Sequence, residues 1–336
     1  MTGQRVGFVG DGWESLRHKV CLERNYVFDP TSCLTIGIAS SALFDLSESD
    51  YIFKTEGVES YERFQKANTD VTLNKGVAFP FIQRILALND LVNDPDSPLV
   101  EVIVLSRNSP VTGIRVQHSI ETYQMPITRA IYTEGTAPYK YMQSLDMELF
   151  LSANKEDVYR AINENLPAGQ ILGGSNIEDD RSEQLRVAFD FDGVLADDES
   201  ERIFAERQLE GFTQNELEKR FEPMNPGPLK RLLERLNHIQ NIEKKRIELD
   251  ESYIPRLEIS LVTARNAPAY ERAVNSMESW GLTVNNAFFL GGIEKGRILN
   301  TLKPHIFFDD QVKHLKDSSE VIPSVHVPFG FRNMVE

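Results

Sequence analysis

Short apolar runs rich in β-branched residues recur along the chain, with helical stretches between them. They are Leu34–Ala39, Val100–Leu105, Glu148–Leu151, Leu185–Phe189, Glu258–Val262 and His305–Phe308. Runs of this kind, separated by helices, predict buried parallel strands joined as βαβ units. Leu229, Leu232, Leu233, Leu236 and Ile239 repeat at the spacing of one face of an amphipathic helix. Pro226 and Pro228 sit just ahead of it, where proline is tolerated. The charged stretch Glu243–Glu251 reads as a solvated face. Gly173–Glu183, GGSNIEDDRSE, combines turn formers with acids and predicts an exposed connection. It divides the chain nearly in half. The expected organisation is therefore a unit at residues 1–172, a linker at 173–184, and a unit at 185–336 with a helical insertion at about 205–256.

The two halves resemble each other. IASSALFDLSESDYIF, Ile38 to Phe53, lies over FDFDGVLADDESERIF, Phe189 to Phe204, with the same Glu-Ser and Ile-Phe endings. SRNSP, from Ser106, lies over ARNAP, from Ala264, and SIETY, from Ser119, over SMESW, from Ser276. LFLSANKEDV, from Leu149, lies over IFFDDQVKHL, from Ile306. Three matches in one order point to an internal duplication. The expected fold is α/β, with two doubly wound Rossmann-like units, the second carrying the helical insertion.

The charge balance narrows the function. Lys and Arg number 36 and Asp and Glu 51, so the net charge is −15 over 336 residues. That argues against nucleic-acid binding, which needs a basic surface. An acidic chain that binds phosphates needs a local site with a metal. Cys21 and Cys33 are the only cysteines, so no disulfide framework is expected. The longest uncharged apolar run, Thr31 to Phe44, falls short of the ~20 residues that cross a bilayer, and the first residues lack a signal-peptide core. These features point to a cytoplasmic protein with no membrane partner. They leave the oligomeric state open.

Acids collect where a parallel sheet places ligands, after the carboxyl ends of strands. Asp190 and Asp192 follow Leu185–Phe189 and point the same way on an extended chain. One carboxylate can attack phosphorus while the other moves the leaving-group proton; taken alone, such a pair more often caps a helix. Thr263 ends the run Glu258–Val262, where a hydroxyl can hold a phosphate oxygen. Lys295 precedes a helical stretch and can reach a phosphate as a point charge. Asp309 and Asp310 directly follow an apolar run, an unusual place for ionised acids unless a hard cation such as Mg²⁺ partners them.

In this order, DxDGV, Thr, Lys and DD resemble the phosphatase branch of the haloacid dehalogenase superfamily, over Leu185 to about Pro328. A closer resemblance covers nearly the whole chain. SRNSPVTGIRVQHSIETY (Ser106 to Tyr123), LFLSANKEDV, GPLK (Gly227 to Lys230), VTARNAP and KPHIFFDDQ are similar to the cytosolic 5′-nucleotidase type I family. The animal members read FDGDAV where this chain reads Phe189-Asp190-Phe191-Asp192-Gly193-Val194. Both acids remain, and the difference bears on substrate preference. The resemblance implies an Mg²⁺-dependent hydrolase of nucleoside 5′-monophosphates, AMP being the best-known substrate. It implies Asp190 as a nucleophile that forms an aspartyl-phosphate, and Asp192 as general acid and then base. Thr263, Arg265 and Lys295 would contact the phosphoryl group. The metal would be held by Asp190, the backbone carbonyl of Asp192, and Asp309 or Asp310. The rival readings are a phosphatase of the same fold for another small phosphomonoester, and a non-catalytic nucleotide sensor.

The first half lacks these acids: Ala39 and Ser41 fall on Asp190 and Asp192, and Ser152 and Ala153 on Asp309 and Asp310. It does carry Arg107, Asn108, Arg115 and His118 after Val100–Leu105. These either line the far wall of a cleft between the halves and grip the nucleotide, or pack the halves together. The loop Gly7–Gly12 does not fit the GxGxxG spacing, and the six histidines show no metal-ligand spacing.

Overall fold

The computed structural model describes residues 33–92, 94, 97–173, 183–320 and 322–333. Most of the expected linker, Cys21 and the Gly7–Gly12 loop lie outside these residues. Each half supplies five strands. The first gives β1 (Leu34–Ile38), β2 (Val100–Ser106), β3 (Arg129–Tyr132), β4 (Leu149–Ser152) and β5 (Ala168–Leu172). The second gives β6 (Leu185–Phe189), β7 (Leu257–Thr263), β8 (Asn286–Phe289), β9 (Ile306–Asp309) and β10 (Ser324–His326). All ten form one sheet in the order β3-β2-β1-β4-β5-β10-β9-β6-β7-β8. Each half taken alone therefore has the order 3-2-1-4-5. Within each half every pairing is parallel.

β1, β4 and β9 are buried along their whole length, as expected of strands covered by helices on both faces. The helices are α1 (Ser40–Leu43), α2 (Ser47–Glu56), α3 (Val58–Ala67), α4 (Phe79–Ala87), α5 (Pro110–Thr122), α6 (Lys155–Asn163), α7 (Glu199–Glu218), α8 (Lys230–Leu249), α9 (Tyr270–Ser279), α10 (Lys295–Leu302) and α11 (Val312–Ser318). One apolar core runs through both halves, from Leu34, Ile36 and Phe150 to Leu185, Phe308 and Val325.

The halves join at β5 and β10, and this pairing alone is antiparallel, with Val325 opposite Ile171 and His326 opposite Gln170. Gly169 permits the approach, since a Cβ there would meet Val325 Cγ1 at 2.2 Å. The reversal puts the carboxyl ends of the two strand sets at opposite edges of the sheet. The halves therefore do not face each other across a cleft within the chain.

Charge also ties the halves together. Glu148, fully buried just before β4, accepts hydrogen bonds from Arg235 Nε on α8 at 2.9 Å and from Thr35 N on β1 at 2.9 Å. The insertion expected at about 205–256 has two parts with different roles. α7 stands over the carboxyl edge of the second half and bends at Gln208, whose φ of 56° lies in the left-handed region. The break between α2 and α3 falls at Gly57, φ 85°, at the spacing that lays Ala39 on Asp190. α8 is instead a core helix: Leu232, Leu233, Leu236 and Ile239 are buried. Glu243, expected on a solvated face, is buried too and accepts from Tyr253 Oη and the backbone N–H groups of Arg256 and Leu257. The backbone turning into β7 needs an acceptor there.

Candidate active site

Asp190 is the first residue beyond β6, Thr263 the last of β7 and Asp309 the last of β9, so the sheet delivers three polar groups to one edge. Lys295, the first residue of α10, lies between two of them. Its Nζ is 2.7 Å from Asp190 Oδ2 and 2.7 Å from Asp309 Oδ2. Burial opposes the ammonium charge, but the two carboxylates outweigh it and hold Lys295 above its usual range. Asp190 also accepts from Phe191 N at 2.7 Å through Oδ1. Burial pushes its carboxyl up to about 6, against the pull of Lys295. Asp309 is held below its ordinary value because Lys295 and His314 outweigh its burial.

Asp192 is fixed differently. Arg265 Nε and Nη2 donate to its two carboxylate oxygens at 2.8 and 2.7 Å, a fork-on-fork pair. The remaining Arg265 donors go to Glu216, Ser200 Oγ and the Ala269 carbonyl. Arg265, expected to contact substrate, is 3% exposed and has no donor left for a phosphate. It holds Asp192 instead.

Asp310 is buried, and neither carboxylate oxygen has a hydrogen-bond partner. Burial and the neighbouring acids Glu201, Asp309 and Asp190 raise its carboxyl well above its usual range. Gly193, φ 72°, makes room for it: a Cβ there would come within 2.6 Å of Asp310 Cγ. Burial likewise pushes Glu201 up to about 7, only partly offset by Arg332, with Asp192 adding to the rise. Asp190, Asp309 and His314 offer ligand atoms within 4.8 Å of one another, but the Lys295 ammonium already bridges the two acids.

Asp190, Asp192 and Glu201 open onto a cavity of about 330 Å³, while Lys295, Asp309 and Asp310 lie behind its lining. Asp190, Asp192, Thr263, Arg265 and His314 line its floor, and Phe204, Leu209 and Phe212 of the α7 hairpin line its roof. Phe204 and Phe212 meet edge to face at 6.0 Å. Glu201, His314 and the α7 aromatics were not candidates from sequence. His314 had a detectable signal, five residues after Asp309 at the start of a helix.

The first-half candidates lie elsewhere. Arg107 is paired with Asp157 and donates to Gly135 O, and Asn108 accepts from Tyr61 Oη. Both line a separate cavity of about 710 Å³ at the opposite sheet edge, drawn only from first-half residues. Arg115 is buried against Val71 O and Gln65, and His118 lies beside Thr69 O and Asp70. None of the four meets Asp190, because the β5–β10 reversal separates the two edges.

A family model described as 5′-nucleotidase matches residues 27–334. The chain is also similar to cytosolic 5′-nucleotidase 1B of Homo sapiens, with 33% identity over 296 residues, 87% of this chain and 48% of that protein. The chain thus spans about half the length of that curated relative. No solved structure matches it.

Proposed function

The chain belongs to the 5′-nucleotidase family, and from that premise we propose that it hydrolyses nucleoside 5′-monophosphates to nucleoside and phosphate. The observation that carries this reading is the cluster at one sheet edge: Asp190 against Lys295, with Asp192 held beside it by Arg265. Asp190 attacks phosphorus and forms an aspartyl-phosphate. Asp192 gives a proton to the departing 5′ oxygen, then takes one from the water that opens the intermediate. Lys295 and Thr263 hold the transferring phosphoryl oxygens, where charge develops. Phe204 and Phe212 offer the apolar faces on which a nucleobase can stack.

A divalent cation fits the residues present. Four buried acids, Asp190, Glu201, Asp309 and Asp310, crowd the site with Lys295 as the cation between two of them, and both Asp310 oxygens lack a partner. Oxygen donors of this kind suit Mg²⁺. We assign Asp190, the backbone carbonyl of Asp192 and Asp310 as its holders, because Asp309, beyond the Lys295 contact it shares with Asp190, is also engaged by Gln311 N and His314. When bound, it polarises the phosphoryl oxygens and offsets their charge.

The shared strand order and the matching breaks at Gly57 and Gln208 support an internal duplication with a haloacid dehalogenase-like second half as the working one. Among the described residues no helix is long and apolar enough to cross a membrane. A cytosolic location, as in the relative's name, is part of the same reading. Phosphate release from a panel of nucleoside and sugar phosphates, with Mg²⁺ or with EDTA, tests it. Turnover of nucleoside monophosphates supports the proposal. Turnover of sugar phosphates alone selects a different phosphatase.

A further inference from the structure

A line of alternating charges runs from the solvent to Asp192. Lys219 Nζ is 2.5 Å from Glu199 Oε1, and Glu199 Oε2 is 2.9 Å from Arg272 Nη2. Arg272 Nη1 is 3.0 Å from Glu216 Oε1, and Glu216 Oε2 is 2.5 Å from Arg265 Nη1. Arg265 then forks onto Asp192. Three cations and three carboxylates cancel along the line. Glu216 is fully buried, and the Arg265 and Arg272 side chains are 2% exposed. Buried ions are tolerated only when paired in good geometry, so few other arrangements of these six groups are open to the fold.

The line has a direction. Glu199 opens α7 and Glu216 lies in its last turn. Arg272, on α9, binds both, and so clamps the two ends of the bent hairpin to the core. Glu216 passes that clamp directly to Arg265. Ser200, the second residue of α7, adds a second link: its Oγ donates to Glu216 and accepts from Arg265 Nη2 at 2.6 Å. The hairpin that roofs the cavity and the carboxylate on its floor are therefore parts of one rigid assembly.

We propose that Arg265 and Glu216 are positioning residues that aim the Asp192 carboxyl at the leaving-group oxygen and register it with the α7 hairpin. The inference rests on Asp192 being the general acid. A purely structural pair would support the fold without favouring one leaving group over another. A positioning pair matters most where the leaving group needs a proton.

The test uses the full chain and two substrates with the same nucleoside: AMP, and its analogue with sulfur in the bridging 5′ position. The alkoxide of AMP needs protonation as it leaves. The thiolate of the analogue, with a reference thiol pKa of ~8.5, needs it far less. Glu216→Gln and Arg265→Lys are expected to lower the single-turnover rate of nucleoside release from AMP roughly 10²-fold, the cost of a general acid misplaced by about 1 Å. They should leave that rate for the sulfur analogue within about threefold, because the later hydrolysis of the aspartyl-phosphate, common to both substrates, is not read in this step. Glu199→Gln, two ion pairs beyond Glu216 on the line from Asp192, should change the ratio little. Equal losses on both substrates in a folded Arg265→Lys protein, or a change in KM alone, would overturn the proposal. Asp192→Asn separates the two layers. If it shows no preference for the sulfur analogue, the general-acid assignment fails. If it does and neither Glu216→Gln nor Arg265→Lys follows it, only the positioning role fails.

Discussion

His326 in β10 lies opposite Gln170 in β5, in the one antiparallel pairing of a sheet otherwise parallel within each half. The same imidazole reaches the candidate site, with Nε2 donating to the Asp310 carbonyl at 3.0 Å. The junction thus supports the acid cluster of the second half while turning the ligand edge of the first half away from it.

Arg115 is expected to act in packing rather than in substrate binding. Its guanidinium is buried and donates to Val71 O at 2.9 Å and Gln65 Oε1 at 3.2 Å. Arg115→Ala should lower unfolding stability by about 1–3 kcal/mol, the cost of leaving buried acceptors unpaired. Urea unfolding measures the loss, and KM for nucleoside monophosphates should stay at the wild-type value. A several-fold rise in KM at unchanged stability would return Arg115 to the substrate.

Asp190→Asn should abolish phosphate release while leaving the fold intact. The amide cannot form the acyl phosphate, and Lys295 keeps Asp309 as a partner at 2.7 Å. Circular dichroism and single-turnover assays check the two parts. Residual turnover near the wild-type rate would remove Asp190 from the nucleophile's role.

Asp310→Asn should weaken Mg²⁺ binding, measured by calorimetry, and should raise the melting temperature of the metal-free protein. Both Asp310 oxygens are buried without a partner, and an unpaired buried carboxylate costs more than an amide in the same place. Removal of Mg²⁺ with EDTA should silence the wild type, and added Mg²⁺ should restore it. A lower melting temperature together with intact Mg²⁺ affinity would contradict the assignment of Asp310 as a metal holder.

Glu148→Ala should destabilise the whole chain by about 1–3 kcal/mol, because it leaves the buried Thr35 N–H without its acceptor and removes the partner of Arg235. Denaturant unfolding followed by fluorescence should show one shifted transition. The Arg235→Ala and double variants should reveal strong coupling between the two residues. Independent, additive effects would show that the pair does not link the halves.

The strands that the chain spelled out by itself are the buried ones. Leu185–Phe189 matches β6 end to end: apart from the half-buried Arg186 it is apolar, as a strand covered on both faces must largely be, and that is a local property. β3 and β8, at the sheet edges, are half exposed and left no such run. β5, with Gly169 and Gln170 inside it, and the three-residue β10 are of mixed composition and did not announce the seam they form. The chemical inventory was legible as well, because an acid directly after an apolar run needs a reason: Asp190, Asp192, Asp309 and Asp310 stood out on that ground.

What the sequence could not supply was orientation and partnership, which depend on groups far apart in the chain. The direction of the β5–β10 pairing decided that the polar residues after β2 lie away from the acids. A bond between residues 73 positions apart turned Arg265 from a substrate contact into the partner of Asp192. The choice between Asp309 and Asp310 rested on where Lys295 came to lie, on a helix that only the folded sheet brings against β9. Local patterns fix which groups a strand end presents. Long-range packing fixes which of them meet, because a buried charge takes its role from the partner that neutralises it.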